Sequence, residues 1–310
     1  MSAAASPQTS RQGEREGGAP LILLTGRNGQ LGWELARSLL PLGRVIALDL
    51  PQLDLADAAA LGRLLDEARP GVIVNPAAYT AVDKAESEPA LAHAVNAEAP
   101  ALLAQWAARH GALLVHYSTD YVFDGAQAAP YAEADATNPL GAYGRSKRAG
   151  EEAVLASGAD HLVFRTSWLY GARGANFLLT MLRLAAERDE LRVVADQVGA
   201  PTWSRFLAEA TAQALRQALA ERRAGRFDSG LYHLACAGET SWHGFASAIV
   251  AARPGLRAQR VVPIATADYP TPARRPANSR LNCEAARARF GLVLPDWRDC
   301  LQLCLEEIPR

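Results

Sequence analysis

Tyr143 and Lys147 stand four positions apart in Tyr143-Gly144-Arg145-Ser146-Lys147. Residues at i and i+4 share one face of a helix, so a helix through this stretch sets a phenol beside an ammonium. The lysine is conspicuous. Of 32 basic residues only two, Lys84 and Lys147, are lysine. An ammonium is a compact point charge on a flexible stem, whereas a guanidinium is a broad planar fork. A position that keeps lysine in so arginine-rich a chain points to chemistry that needs the small cation.

A second group lies near the start. The apolar run 21–25 leads into Gly26-Arg27-Asn28-Gly29-Gln30-Leu31-Gly32, and an apolar-periodic stretch follows. Glycines spaced in this way let the backbone turn sharply and approach a diphosphate at the N-terminus of the next helix. Asp49 follows about 20 residues after the loop, where a carboxylate accepts hydrogen bonds from adenine-ribose hydroxyls and favours NAD. Arg27, inside the loop, suits a 2′-phosphate. Both NADH and NADPH are therefore expected as cofactors.

These groups need a scaffold. Apolar runs at 21–25, 44–49, 72–75, 113–117 and 162–165 predict strands. They alternate with helical stretches at about 30–40, 56–68, 87–109 and 141–157. Strands that are apolar throughout, not on alternate residues, imply a parallel sheet covered on both faces, an α/β doubly wound fold of Rossmann type. Beyond 170 the alternation loosens into helices near 174–188, 203–222, 241–252, 283–290 and 296–308, with strands at 191–194, 231–235 and 260–264. The expected organisation is a tail over 1–19, a dinucleotide-binding domain over 20–170 to which some later segments are free to return, and a smaller mixed α/β lobe over 171–310, mainly substrate-binding. The cleft between them is the default ligand site.

The bulk composition excludes several classes. A net charge of −1 gives no basic field for nucleic acid or an anionic membrane. No apolar run reaches the ~18 residues that span a bilayer, and the first nineteen residues lack the apolar centre of a signal peptide. Cys236, Cys283, Cys300 and Cys304 form no Cys-x-x-Cys pair and have no histidine at ligand spacing, as expected of reduced thiols in a cytoplasmic protein.

Three segments taken together, the glycine loop, Ser118-Thr119-Asp120-Tyr121-Val122-Phe123 and Tyr143-x-x-x-Lys147, resemble the extended short-chain dehydrogenases that act on nucleotide-activated sugars. Further segments narrow the likeness. Gly29-Gln30-Leu31-Gly32-Trp33-Glu34-Leu35, Thr80-Ala81-Val82-Asp83-Lys84-Ala85-Glu86, Phe164 to Tyr170, Asp196-Gln197-Val198-Gly199-Ala200-Pro201-Thr202 and Tyr269 to Pro276 are similar to the dTDP-4-dehydrorhamnose reductase family. The likeness extends over about residues 21–305. It implies NAD(P)H-dependent reduction of the 4-keto group of dTDP-4-dehydro-L-rhamnose, the last step toward dTDP-L-rhamnose for surface polysaccharides.

The resemblance also implies roles. Nicotinamide supplies a hydride and Tyr143 the proton. Lys147 stabilises the phenolate, because a neighbouring ammonium lowers a phenol's pKa, and its other donors hold the nicotinamide ribose. Thr119 orients the substrate oxygen, Asp120 lies near the sugar, and Trp168 packs against it. Tyr117, Pro76, Ala77 and Ala78 match cofactor contacts at strand ends; Pro76 stands where the family more often has alanine, which removes one N–H. Asp54 and Leu55 match an adenine contact. Arg274, Arg275 and Arg280 flank a proline-rich loop and suit a diphosphate, which guanidinium binds in bidentate fashion. Lys84 reads as a member of a structural ion pair.

Thr119-Asp120-Tyr121 lacks the second carboxylate that sugar-nucleotide dehydratases place after Asp120, so reduction fits better than elimination of water. Some family members are dimers bridged by magnesium held by glutamates. Glu34 matches one such glutamate, but Arg205 occupies a second, which opposes metal binding; a monomer or a homodimer is expected, with no metal assigned. Two other readings stay open. One is a sibling ketoreductase giving the 4-epimer, dTDP-6-deoxy-L-talose. The other is a non-catalytic regulatory subunit on the same fold.

Overall fold

A computed structural model describes residues 18–309, so residues 1–17 of the expected tail lie outside the described residues. The first half alternates as the sequence predicts. Strands β1 (Leu21–Leu24), β2 (Arg44–Ala47), β3 (Val72–Asn75), β4 (Leu113–Thr119) and β5 (Asp160–Thr166) are separated by helices α1 (Gln30–Ser38), α2 (Ala58–Ala68), α3 (Val82–Ala85), α4 (Pro89–His93), α5 (Ala99–His110) and α6 (Ala142–Leu155). The second half contains β6 (Leu169–Tyr170), α7 (Phe177–Glu187), β7 (Glu190–Val194), β8 (Val198–Gly199), β9 (Thr202–Trp203) and α8 (Ser204–Arg223). It continues with β10 (Gly230–His233), β11 (Thr240–Ser241), α9 (Trp242–Ala251), β12 (Arg260–Ile264), α10 (Glu284–Phe290) and α11 (Trp297–Glu306).

Six strands form one sheet in the order β10-β5-β4-β3-β1-β2, and each pairing in it is parallel. The apolar strands explain this. Ile22, Leu24, Val72, Val74, Val115 and Phe164 point to one face, where α1, α8 and α10 cover them. Leu23, Ile73, Leu114 and Val163 point to the other, under α2 and α5. Ile22, Leu23 and Leu24 are all completely buried, worth roughly 1.5–3 kcal/mol each relative to exposure. Strand order reverses at β1 and β3, and the crevice beyond their C-terminal ends is where doubly wound sheets bind ligands. The glycine loop opens from β1 and Thr119 ends β4, so the fold brings both to this edge.

One feature departs from the expected pattern. The helix expected over 87–109 is broken. A π-helical stretch, Ala94–Glu98, joins α4 to α5, and Asn96 within it accepts from Tyr79 N at 2.8 Å and donates to Tyr79 O and Ser146 Oγ at 3.0 Å. Beyond 170 the chain packs against the central sheet as well. Helix α8 covers the central sheet and β10 pairs with β5 at its edge. The second apolar core packs α7, α9 and α11 around Phe245 and Trp297. No helix among the described residues is long and apolar enough to cross a membrane.

Candidate active site

The loop after β1 is a cradle with no room for side chains at two positions. Gly26 sits at φ +61°, and a Cβ there would lie 2.9 Å from Ala77 Cα. A Cβ on Gly32 would lie 1.9 Å from Gly26 O. The loop folds back on itself, Gly29 N donating to Gly26 O at 3.0 Å, and leaves exposed Arg27, Asn28 and Gly29 at the start of α1. Asp49 closes one side: its Oδ2 accepts from Asn28 N at 2.8 Å and its Oδ1 from Leu50 N at 2.8 Å. Gln30 Oε1 is buried without a hydrogen-bond partner. A backbone cradle at a helix N-terminus with a carboxylate at its rim fits a dinucleotide.

Several residues expected at the cofactor offer only their backbone. Leu31 and Leu55 pack their side chains into the two cores beside the sheet. Tyr117 turns its ring into the core, its hydroxyl donating to Thr211 Oγ1 at 2.8 Å. That side chain is therefore turned away from the cradle, and the Tyr117 carbonyl accepts from Lys147 Nζ. Asp54 is exposed and forms a turn, accepting from Ala56 N at 2.8 Å. Half-buried Pro76, Ala77 and Ala78 line the crevice past β3, with Ala77 tied to Thr25 Oγ1 at 3.4 Å.

Helix α6 carries Tyr143, Lys147 and Glu151 on one face. Glu86 holds its N-terminus, accepting from Ala142 N at 2.7 Å; a carboxylate there is favoured by the helix dipole. Glu151 anchors it further down through a buried bidentate pair with Arg165 of β5, at 2.9 and 2.5 Å. Between these anchors lies buried Lys147, whose Nζ donates to Tyr117 O at 2.6 Å. Burial lowers its pKa to about 8, with the Glu151 charge opposing. Buried His116 is held neutral by burial and by the Lys147 charge.

Tyr143 is half-buried, with the ring of Tyr121 edge-on at 5.6 Å. Burial raises its pKa to about 12; a hydrogen bond with Thr119 opposes this and the Asp120 charge adds to it. This corrects the expected tuning. In this arrangement the ammonium is spent on the Tyr117 carbonyl, and burial dominates the phenol. Thr119 is the hub, accepting from Tyr121 N at 3.2 Å and donating to Asp120 Oδ1 at 3.0 Å. Asp120 is buried and raised to about 6 by desolvation, opposed by hydrogen bonds from Ser279 and Thr119. Its Oδ2 has no partner.

On the other side of the cleft, Trp168 adopts φ +47°, a strained conformation for a bulky residue. Its ring stacks on Trp242 of α9 with centroids 3.6 Å apart and planes 9° from parallel. Trp242 was not singled out in the sequence, because nothing local links residues 74 positions apart. The three arginines separate. Arg275 is committed to Asp83 at 2.8 Å and to Thr271. Arg280 is committed to Asn278 at 2.9 Å, Glu239 at 2.8 Å and Ala128 O. Arg274 is exposed and has no partner among the described residues. Lys84 is exposed and pairs with Glu88 at 3.9 Å, away from the cleft.

The residues expected near a bridging magnesium do not fit one. Arg205 Nε lies 3.2 Å from Glu34 Oε2, and its NH1 lies 2.5 Å from Glu307 Oε1. A guanidinium already stands between the two carboxylates.

A parallel sheet of this strand order, a glycine cradle beyond β1, and Thr119, Tyr143 and Lys147 gathered at the strand ends define a Rossmann-type reductase of the short-chain dehydrogenase class. Comparison with known proteins narrows this. A family model described as RmlD substrate binding domain matches residues 21–309. A dTDP-4-dehydrorhamnose reductase from Burkholderia thailandensis is 57% identical, over 93% of this chain and 98% of that one. Among solved structures, a dTDP-4-dehydrorhamnose reductase from Bacillus anthracis in complex with NADP is 35% identical with a TM-score of 0.86, covering 93% of this chain and 99% of that one. One from Clostridium acetobutylicum is 38% identical with a TM-score of 0.84, covering 92% and 98%. The chain belongs to the dTDP-4-dehydrorhamnose reductase family.

Proposed function

We propose that this protein reduces the 4-keto group of dTDP-4-dehydro-β-L-rhamnose to dTDP-β-L-rhamnose with NADPH or NADH, Tyr143 giving the proton. The observation that carries this reading is the meeting of Thr119, Tyr143 and Lys147 at one edge of the sheet, beside the cradle of Gly26 and Gly32. The loop from Gly26 to Gly32 would hold the diphosphate, Asp49 and Arg27 the adenosine end, and Lys147 the nicotinamide ribose. The bound nicotinamide would supply a hydride to carbon.

The chain's own residues then deal with the oxygen. Thr119 orients the carbonyl oxygen within reach of Tyr143, which is worth much of the rate gain available from positioning. The Tyr143 hydroxyl gives its proton to the oxygen as negative charge develops. A phenol at about 12 stays fully protonated at neutral pH. It is still a stronger acid than the alcohol being formed, so the transfer runs downhill. Lys147 keeps a positive charge beneath the site, where low dielectric strengthens its effect. On the substrate side, Asp120 Oδ2 would accept a sugar hydroxyl, Trp168 would pack on the ring, and Arg274 is the guanidinium left for the diphosphate. The lone Asp120 after Thr119 supports reduction over dehydration. A step on a soluble nucleotide sugar supports a cytoplasmic setting.

The test is incubation with dTDP-4-dehydro-β-L-rhamnose and each reduced cofactor, the C4 configuration of the product being read by NMR. The rhamnose product is expected. A talose product would select the sibling reductase, and no turnover with intact cofactor binding would leave a non-catalytic module.

A further inference from the structure

We infer that Arg205 is a built-in counter-ion, its guanidinium occupying the place between Glu34 and Glu307 that a divalent cation would need, so that the junction of α1, α8 and the end of α11 is independent of metal. Glu34 lies on α1 with its side chain only 9% exposed, and Glu307 caps α11. One arginine from the first turn of α8 reaches both, at 3.2 and 2.5 Å. Its plane also lies over the Trp203 ring, 5.3 Å from the centroid, which fixes its direction.

Charge around the junction agrees. The surface groove outside it is lined by Arg37, Arg205 and Arg216 against Glu34 and Glu209, and the Arg173 charge also acts on Glu307. A magnesium ion needs oxygen ligands in near-octahedral array and gives up its water reluctantly. Here it would have to displace a cation that is covalently present and already in contact with both carboxylates. Two buried or half-buried carboxylates left facing each other without it would repel, so the arginine stabilises the meeting of the three elements.

The experiment measures thermal midpoint and molecular mass in solution for the wild type, Arg205→Glu and Arg205→Gln, each in EDTA and in millimolar MgCl2. The wild type is expected to give the same midpoint and mass in both. Arg205→Glu adds a third carboxylate and removes the guanidinium that contacts Glu34 and Glu307, so its midpoint should fall by ~5 °C or more in EDTA and recover in MgCl2. If Arg205→Glu fails to fold, Arg205→Gln should show the same magnesium-dependent recovery to a smaller degree. A wild-type midpoint or mass that changes between EDTA and MgCl2 overturns the inference. So does a folded variant whose midpoint ignores magnesium.

Discussion

Lys147 Nζ donates to the backbone carbonyl of Tyr117 at 2.6 Å. That bond ties helix α6, which carries Tyr143, to the strand whose end carries Thr119, so the ammonium holds these two residues in register. It also explains why lysine stands here among so many arginines. A guanidinium is too broad to donate end-on in this buried gap between α6 and β4.

The charge on Lys147 sets an upper pH limit. Burial lowers its pKa to about 8, so the ammonium is lost as pH rises through that value. The expected outcome is that kcat/KM, which reports the free enzyme, falls above about pH 8. Lys147→Arg should remove that limb, since guanidinium stays charged, while lowering kcat by roughly tenfold or more through misfit. A pH profile of both proteins checks this; an unchanged limb in the variant would assign it to another group.

Asp120 should destabilise the fold at neutral pH. Its folded pKa is about 6, above the ordinary carboxylate value, so the folded state binds the proton more tightly. The associated stability is complete below about pH 4 and is lost as pH rises through about 6. The gap between the ordinary carboxylate value and about 6 corresponds to about 3 kcal/mol at most. Asp120→Asn cannot ionise and should be the more stable protein near pH 8, with no advantage near pH 4, as urea unfolding at the two values would show. Substrate KM should rise in the same variant.

Glu86 places Tyr143 without touching the cleft. Glu86→Ala leaves the Ala142 N–H without its acceptor, an effect of about 0.5–2 kcal/mol for a helix cap. It should lower kcat more than it changes KM for cofactor. Glu86→Gln keeps an acceptor oxygen and should restore most of the rate. Steady-state kinetics on the pair distinguish positioning from loss of fold, because a merely structural role would lower the active fraction and leave kcat per active site unchanged.

The Trp168–Trp242 stack should set sugar affinity. Trp242→Ala removes the ring that fixes Trp168 at 3.6 Å. Aromatic pairs are worth about 0.5–1.5 kcal/mol beyond burial, so substrate KM should rise roughly two- to tenfold while the cofactor Kd holds. Equal loss for both ligands in titration would instead mean that the lobe has shifted as a whole.

How much of this was legible in the chain depends on how local each signal is. Four of the five strands of the first half were readable because both faces are buried, which leaves unbroken apolar runs such as Leu21 to Leu24; β2, half-buried at the sheet edge, was readable from its apolar run alone. The glycine loop was readable because Gly26 and Gly32 answer a backbone demand that no other residue meets. Tyr143 and Lys147 were readable because helix spacing fixes their relation. The break at Asn96 was not, since its cause is a set of hydrogen bonds to Tyr79 and Ser146, and no local signal marks it. Arg275 suited a diphosphate in sequence because its carboxylate partner, Asp83, lies 192 positions away. Helix spacing and the resemblance set the Lys147 ammonium beside Tyr143; the larger influence on the phenol is burial, which raises its pKa and depends on the whole fold.

The central claim, that Tyr143 gives the proton to the substrate oxygen, is tested most directly by Tyr143→Phe. Cofactor Kd and single-turnover reduction of dTDP-4-dehydro-β-L-rhamnose would be measured on the folded variant. The expected result is an unchanged cofactor Kd with turnover reduced by about 10²- to 10⁴-fold, the usual scale of general acid catalysis. Turnover within a few-fold of wild type would contradict it, and would mean that the proton comes from another group.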